Sequence, residues 1–342
     1  MNAAVSRAGN AAATNIKTRY RLESAKTPHK ECACMQPYRD FLSLRGLSAE
    51  EINGILLLSE KIKRNRYQYT GNQLLAKKTG VLLFEKPSLR TRITFETAIN
   101  ELGGHAINLS SQMVRLGERE AVKDVALNLN RWVHLAVIRT FSHTTLETLA
   151  TYSTIPIINA LTDSYHPCQA LAFGLTLREH IDNQTDIHVV FVGDGNNVCA
   201  SIMLLCAQLG YHFTQVAPSS YFIDAQLQKD AKEIAATRGA DIRFTENIGD
   251  AVRTAHVIYT DVWASMGQED EAQNRKNDFR HFQVNTSILA DAPQEVLVSH
   301  CLPAHREEEI TSEVLDSPRC IAFDEAENRL HVQKAVISYI FS

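Results

Sequence analysis

The 342-residue chain contains no apolar run approaching the ~18–20 residues of a membrane-spanning helix. No membrane partner is expected. Positive charge is not in excess either: 35 Lys and Arg stand against 39 Asp and Glu, a net charge of −4. Without a global basic field, nucleic acid is not an expected partner, and any anion site has to be local. Cysteine is sparse, seven in all. Cys199, Cys206 and Cys320 lie in apolar segments, where buried free thiols are the expected state, and this favours a reducing compartment. Cys32 and Cys34 form a lone C-x-C without further ligands nearby, too little for a metal site. No internal repeat stands out.

What is present is an ordinary globular composition, 44% hydrophobic and 22% charged, at a length that suggests two domains. Residues 1–36 stand apart, rich in Ala, Ser, Thr and Asn, with Glu23 the single acid up to Lys30. They read as a flexible tail. An organelle transit peptide shares that composition and is the alternative to a cytoplasmic location. From Ser48, a plausible N-cap, helical periodicity runs to Arg66. Strand-like runs then alternate with helical stretches: Val81–Phe84, Ala106–Leu109, Leu135–Ile138 and Pro156–Ile158, followed by a long helix from Cys168 to His180. A polar stretch, Asp182–Asp186, reads as a boundary. A second series has strands at Ile187–Val192, His212–Val216, Asp241–Phe244, Val257–Tyr259 and Val296–Ser299. The expected fold is α/β, two doubly wound parallel-sheet domains joined by helices. Their bounds are 37–180 and 181–324, and the chain ends on a helical segment over 325–342. Gly267–Arg280 is polar and aperiodic and reads as a mobile loop.

The chemistry-bearing residues cluster at strand ends, where open α/β sheets place their ligand sites. After Val81–Phe84 come Ser88, Leu89, Arg90, Thr91 and Arg92, at the start of a helical pattern. A helix N-terminus presents unpaired N–H groups and the positive end of a dipole, and Arg can bind two oxygens of a phosphate at once. The alternative is a capped helix with two solvated arginines. Arg139 follows another strand, as a clamp or as a surface ion-pair partner. His166 precedes Pro167, Cys168 and Gln169, and as a lone histidine it is more simply a helix cap. Gly193 and Gly195 invite a dinucleotide reading, but Val198 occupies the place of the third glycine and no convincing acidic partner follows. Asp261, at a strand end, suits an ammonium group, with Ser265 and Met266 in reach. His300 and Cys301 are adjacent on one strand, so their side chains point to opposite faces and a Cys–His dyad is not expected.

Together these pieces are more specific than any one. From about Tyr38 to Ile340 the chain resembles the ornithine carbamoyltransferases of the aspartate/ornithine carbamoyltransferase family. The resemblance rests on S-L-R-T-R at 88–92, H-P-C-Q-A-L-A at 166–172, D-G-N-N at 194–197, D-V-W-A-S-M-G at 261–267, H-C-L-P at 300–303 and F-D-E-A-E-N-R-L-H at 323–331. The D-x-x-x-S-M-G token points to ornithine rather than aspartate as acceptor. The resemblance implies transfer of the carbamoyl group of carbamoyl phosphate to the δ-amine of L-ornithine, giving L-citrulline and phosphate in arginine biosynthesis, with no metal and no cofactor. It implies that Ser88, Leu89 (through its backbone), Arg90, Thr91 and Arg139 cradle carbamoyl phosphate. His166, Gln169, Cys301, Leu302 and Arg329 position it. Asn197, Asp261, Ser265 and Met266 form the ornithine site, and Arg90, Arg139, His166 and Cys301 are the catalytic candidates. It also implies a homotrimer in which Arg115 reaches the neighbouring subunit's site.

Three positions depart from the family's pattern. Leu89 removes a hydroxyl from the middle of S-x-R-T-R, Phe173 replaces a frequent Asp and alters the wall behind His166, and Arg115 fills a loop position where the family often has a polar group reaching the neighbouring subunit's site. A carbamoyltransferase with another amine acceptor, a non-catalytic binding relative and a Rossmann oxidoreductase are the rival readings.

Overall fold

The structure, a computed structural model, describes residues 39–69, 71–110, 115–264 and 269–342. The expected flexible tail, Cys32, Cys34, Ser265 and Met266 lie outside the described residues. The first helix, α1 (Ala49–Arg64), starts at Ser48 as the sequence predicts. Ser48 Oγ accepts from the Glu51 N–H at 3.2 Å, and the Glu51 carboxylate accepts from the Ser48 N–H at 2.8 Å. This reciprocal pair satisfies two of the helix's orphan donors.

The first α/β series is β1 (Thr79–Phe84), α2 (Leu89–Glu101), β2 (His105–Ser110), α3 (Val122–Trp132), β3 (Leu135–Arg139), α4 (His143–Tyr152) and β4 (Ile157–Leu161). Its strands form a parallel sheet in the order β2-β1-β3-β4. The unbroken apolar run Val81–Phe84 is buried throughout, as expected of a parallel strand covered on both faces by helices. Next comes α5 (Pro167–His180). The second series is β5 (His188–Val192), α6 (Asn197–Leu209), β6 (His212–Val216), α7 (Ala225–Thr237), β7 (Ile242–Thr245), α8 (Ile248–Val252) and β8 (Val257–Thr260). It continues with α9 (Ala272–Asp278), α10 (Thr286–Asp291), β9 (Leu297–His300) and α11 (Ser312–Leu315). This sheet is also parallel, in the order β7-β6-β5-β8-β9. The last helix, α12 (Ala322–Phe341), packs on α5, α1 and α2 of the first series.

Each sheet reverses its strand order once, between β1 and β3 in the first and between β5 and β8 in the second. Crevices open at the carboxyl ends of strands at such reversals. The sequence clusters fall there: Ser88–Arg92 and Arg139 at the first reversal, Gly193–Asn197 and Asp261 at the second.

Three sequence expectations need correction. Arg139 is the last residue of β3, in register with Phe84, rather than a loop residue after it. β4 runs on to Leu161 because Asn159, though polar, is buried and donates to the Leu42 carbonyl at 2.7 Å. The region Gly267–Arg280 is not loop throughout: Ala272–Asp278 is helical. Its pattern is invisible because Arg275 is the one side chain that this short helix buries. The free thiols of Cys168, Cys199 and Cys206 are buried as the apolar context suggests, whereas Cys320 is only partly covered.

Candidate active site

The carboxyl ends of both sheets line one cleft of about 880 Å³. Its first wall is cationic. Ser88 caps α2, its Oγ accepting from the Thr91 N–H at 3.3 Å. Leu89 opens the helix with its side chain exposed, so the missing hydroxyl leaves the backbone cradle untouched. Arg90 and buried Thr91 follow on the first turn. Arg139 comes in from β3, and Arg329 from α12, where its guanidinium donates to Thr91 Oγ1 at 3.0 Å and to Gln169 Oε1. Among the described residues, none of Arg90, Arg139 and Arg329 has an ion-pair partner within 4.0 Å, and the Nε atoms of Arg139 and Arg329 are buried without an acceptor. Burial, reinforced by Arg329 and Arg90, lowers the Arg139 pKa to about 10. Cations crowded together without carboxylates suit a dianion.

His166 sits against this wall and is 4% exposed. Burial, with Arg329 and Arg139 beside it, pushes its pKa well below the ordinary histidine value, so it is neutral at physiological pH. It makes no side-chain cap bond to α5. Among the described residues its Nδ1 is buried without a partner, while its backbone N–H donates to Ser201 Oγ at 2.8 Å. Lys86, which sequence reading passed over, is buried beside the wall. Its ammonium lies 4.3 Å from the Phe141 ring centre and pairs with Asp163. Phe173 is not in the wall. It is fully buried in the core, edge-on to Tyr259 at 5.0 Å.

The opposite wall is built on the second sheet. Gly193 has φ +147°, and a Cβ on Gly195 would lie 2.5 Å from the backbone nitrogen of Ile223. The two glycines therefore serve a tight turn and a close backbone approach, which accounts for them without a dinucleotide. Asn196 caps α6 by accepting from the N–H groups of Val198 and Cys199, each at 3.0 Å, and donates to Asp261 Oδ2 at 2.8 Å. Asn197 donates to the Thr162 carbonyl at 2.5 Å, tying this wall to the loop after β4. Cys301 donates its S–H to Asp261 Oδ1 at 2.8 Å. Burial, and then the Asp261 charge, push its pKa well above the ordinary thiol value, so it remains protonated. His300 is occupied elsewhere: Nε2 meets buried Glu309 at 3.0 Å and Nδ1 accepts from the Leu302 N–H at 2.8 Å. The expected absence of a Cys–His dyad agrees with these partners. Among the described residues the Leu302 carbonyl accepts no backbone hydrogen bond. Asp261, His300 and Cys301 bring one donor atom each within 4.8 Å of one another. All three are committed to protein hydrogen bonds.

The structure brings Ser88, Leu89, Arg90, Thr91, Arg139, His166, Gln169, Asn197, Asp261, Cys301, Leu302 and Arg329 to this single cleft. It does not bring Arg115 there. That side chain is exposed and pairs with Glu118 at 3.3 Å. Lys86, Arg275 and Glu325 were given no role by the sequence, and Asn196 was noted only as part of the Gly193–Asn197 turn. Asn196 had a signal, as a residue able to cap the helix that follows a G-x-G turn. Arg275 had none, although it donates to Asp194 Oδ2 at 2.9 Å, to the Trp263 carbonyl at 3.1 Å and to Glu271 at 3.0 Å. One guanidinium thereby holds both flanks of residues 265–268. Arg275→Gln is expected to raise the KM for the amine substrate about tenfold, with the KM for the phosphate substrate changed less than about twofold, since a partly buried ion pair is lost on one wall only. Steady-state kinetics with each substrate varied in turn checks this.

Comparison with known proteins agrees with that geometry. Residues 39–179 match the carbamoyl-P binding domain of the aspartate/ornithine carbamoyltransferases, and residues 185–340 match their Asp/Orn binding domain. The ornithine carbamoyltransferase of Methanocorpusculum labreanum is 44% identical over 299 residues, 87% of this chain and 97% of that protein. That of Oceanobacillus iheyensis is 44% identical over 304 residues, 89% of this chain and 94% of its own length. The solved structure of ornithine carbamoyltransferase from Pyrococcus furiosus superposes with a TM-score of 0.85 at 44% identity, covering 89% of this chain and 97% of that one. With both halves of the cleft matched in order along one chain, the protein belongs to the aspartate/ornithine carbamoyltransferase family.

Proposed function

We propose that this protein is an ornithine carbamoyltransferase, transferring the carbamoyl group of carbamoyl phosphate to the δ-amine of L-ornithine. The observation that carries this reading is the asymmetry of the cleft: three guanidinium groups around a helix N-terminus with no carboxylate in ion-pair contact among the described residues, faced by an acid–thiol pair. The dianionic phosphate lies against the α2 N-terminus, Ser88, Thr91, Arg90 and Arg139. Arg329, neutral His166, Gln169 and the carbonyl of Leu302 orient the carbamoyl group. Asp261, Cys301 and Asn197 hold the amine substrate, with Ser265 and Met266 completing its site. The neutral amine forms a C–N bond to the carbamoyl carbon, the C–O bond to phosphate breaks, and the proton shed by the nitrogen passes to the departing phosphate, which leaves as hydrogen phosphate. Charge grows on the carbamoyl oxygen and on the departing phosphate, and prearranged guanidinium groups stabilise it without reorganisation. Holding two substrates in line supplies much of the remaining acceleration.

In this reading residues 37–180 with 325–342 form the carbamoyl phosphate domain and 181–324 the ornithine domain. The packing of α12 on α1, α2 and α5 supports that division. The reading includes a homotrimer with Arg115 directed at a neighbour's cleft, which its exposure here supports, and a cytoplasmic location. The deciding experiment incubates purified protein with carbamoyl phosphate and either ornithine, aspartate or another amine, and measures the carbamoylated product. Citrulline from ornithine is expected. Folded protein that makes none, or that prefers another amine, would overturn the proposal.

A further inference from the structure

Two side chains of α12 one helical turn apart, Glu325 and Arg329, grip the same residue. Both are buried, and both hold the amide of Gln169. Arg329 donates to its oxygen, and its nitrogen donates to Glu325 Oε1 at 2.5 Å. The two ends of a carboxamide have nearly the same shape, so packing alone does not choose between its two orientations. Charge does so here. A flipped amide would set NH₂ against a guanidinium and oxygen against a carboxylate.

The carboxylate is itself pinned. Tyr259 donates its hydroxyl to Glu325 Oε1 at 2.8 Å, and Ser299 donates to Oε2 at 2.5 Å. Tyr259 and Ser299 are register partners in β8 and β9. Two positions on from this pair, one residue past the ends of β8 and β9, lie Asp261 and Cys301, the acid–thiol pair of the cleft. One carboxylate therefore joins the amide on the first wall to the strand pair that carries the second.

We propose that Glu325 is a positioning residue for carbamoyl transfer, fixing the Gln169 amide so that its remaining N–H and oxygen lone pair meet the planar carbamoyl group. The proposal rests on the ornithine carbamoyltransferase reading above. Gln169 lines the cleft and Glu325 does not, so the acid acts through the amide. An acid in the first turn of a helix is ordinarily accounted for by the helix dipole. Glu325 is more than that: it is wholly buried, its pKa is pushed up to about 7 by that burial, and its bonds run to α5, β8 and β9. A buried acid is costly where an apolar residue would pack.

The test is a double-mutant cycle read as kcat/KM for carbamoyl phosphate, in wild type, Glu325→Ala, Gln169→Ala and the double variant. Each single change is expected to lower kcat/KM at least about tenfold, and the double variant to lie within about twofold of Gln169→Ala alone, because the acid has nothing left to orient. Glu325→Gln, which keeps an oxygen facing Gln169, is expected to recover all but about threefold of the loss. Multiplicative losses in the double variant, or Glu325→Gln as impaired as Glu325→Ala, would overturn the proposal. Should Glu325→Ala fail to fold, Tyr259→Phe combined with Ser299→Ala removes only the two hydroxyls that hold the carboxylate. The expected severalfold loss must then vanish in the Gln169→Ala background, and its persistence overturns the proposal. Wild type inactive with carbamoyl phosphate and ornithine defeats the functional reading instead, so the two failures are distinct.

Discussion

Replacing Arg139 with methionine is expected to cut turnover about a thousandfold, the scale of losing one prearranged group that stabilises developing charge. The same change is expected to raise the thermal midpoint of the ligand-free protein by about 2–4 °C. The two signs come from one cause. Arg139 is buried beside Arg90 and Arg329, and its pKa is lowered from 12.5 to about 10. A base whose folded pKa lies below its unfolded value destabilises the fold wherever it is charged. The penalty is complete below about pH 10 and disappears above the unfolded value, so at neutral pH it is fully present, on the order of 3 kcal/mol. Methionine removes the charge and keeps much of the side chain's volume. Calorimetry and citrulline formation on the same preparation check both halves. Turnover within tenfold of wild type would place the leaving group elsewhere in the cleft. A lowered midpoint would make Arg139 a structural residue.

Asp261→Asn is expected to lower kcat/KM for ornithine by about two to three orders of magnitude, because a buried charged contact typically carries several kcal/mol. The dissociation constant of carbamoyl phosphate should change little, since Asp261 bonds to Asn196, Cys301 and the Val262 N–H and not to the arginine wall. Asparagine keeps the shape and one acceptor oxygen, so the cap on α6 survives. The partition between the two substrates is the informative outcome. Equal losses for both would mean that Asp261 holds the cleft together rather than holding the amine. Kinetics with each substrate varied, beside phosphate competition in equilibrium binding, separates the cases.

The cationic wall was largely legible because its chemistry is contiguous: Ser88 to Arg92 lie between an apolar strand and a helical pattern, and that junction dictates an exposed helix N-terminus. Arg139 was legible for a related reason, at the end of a fully apolar run. The pairing of Arg329 and Glu325 with Gln169 was not, since it joins residues about 160 positions apart through a helix whose direction of return no local pattern encodes. Arg275 was hidden by its surroundings, a polar segment whose short helix buries one side chain and so has no periodicity. Gly195 is intermediate. The turn it makes was readable, but the reason for glycine there is the backbone of Ile223, 28 positions away by residue number.

The route of α12 bears on how the chain reaches its native state. Thr91 meets Arg329 across 238 positions of sequence, and Glu101 meets Lys334 across 233. Closing loops of that length slows folding more than it changes stability. Synthesis delivers both sheets before it delivers residue 329. During that interval α1, α2 and α5 display the apolar faces that α12 later covers, and the cleft lacks one of its three guanidinium groups. A nascent chain thus passes through a stage in which every strand has been synthesised, these apolar faces are uncovered and the cationic wall is incomplete, the kind of stage at which chaperone capture or aggregation acts.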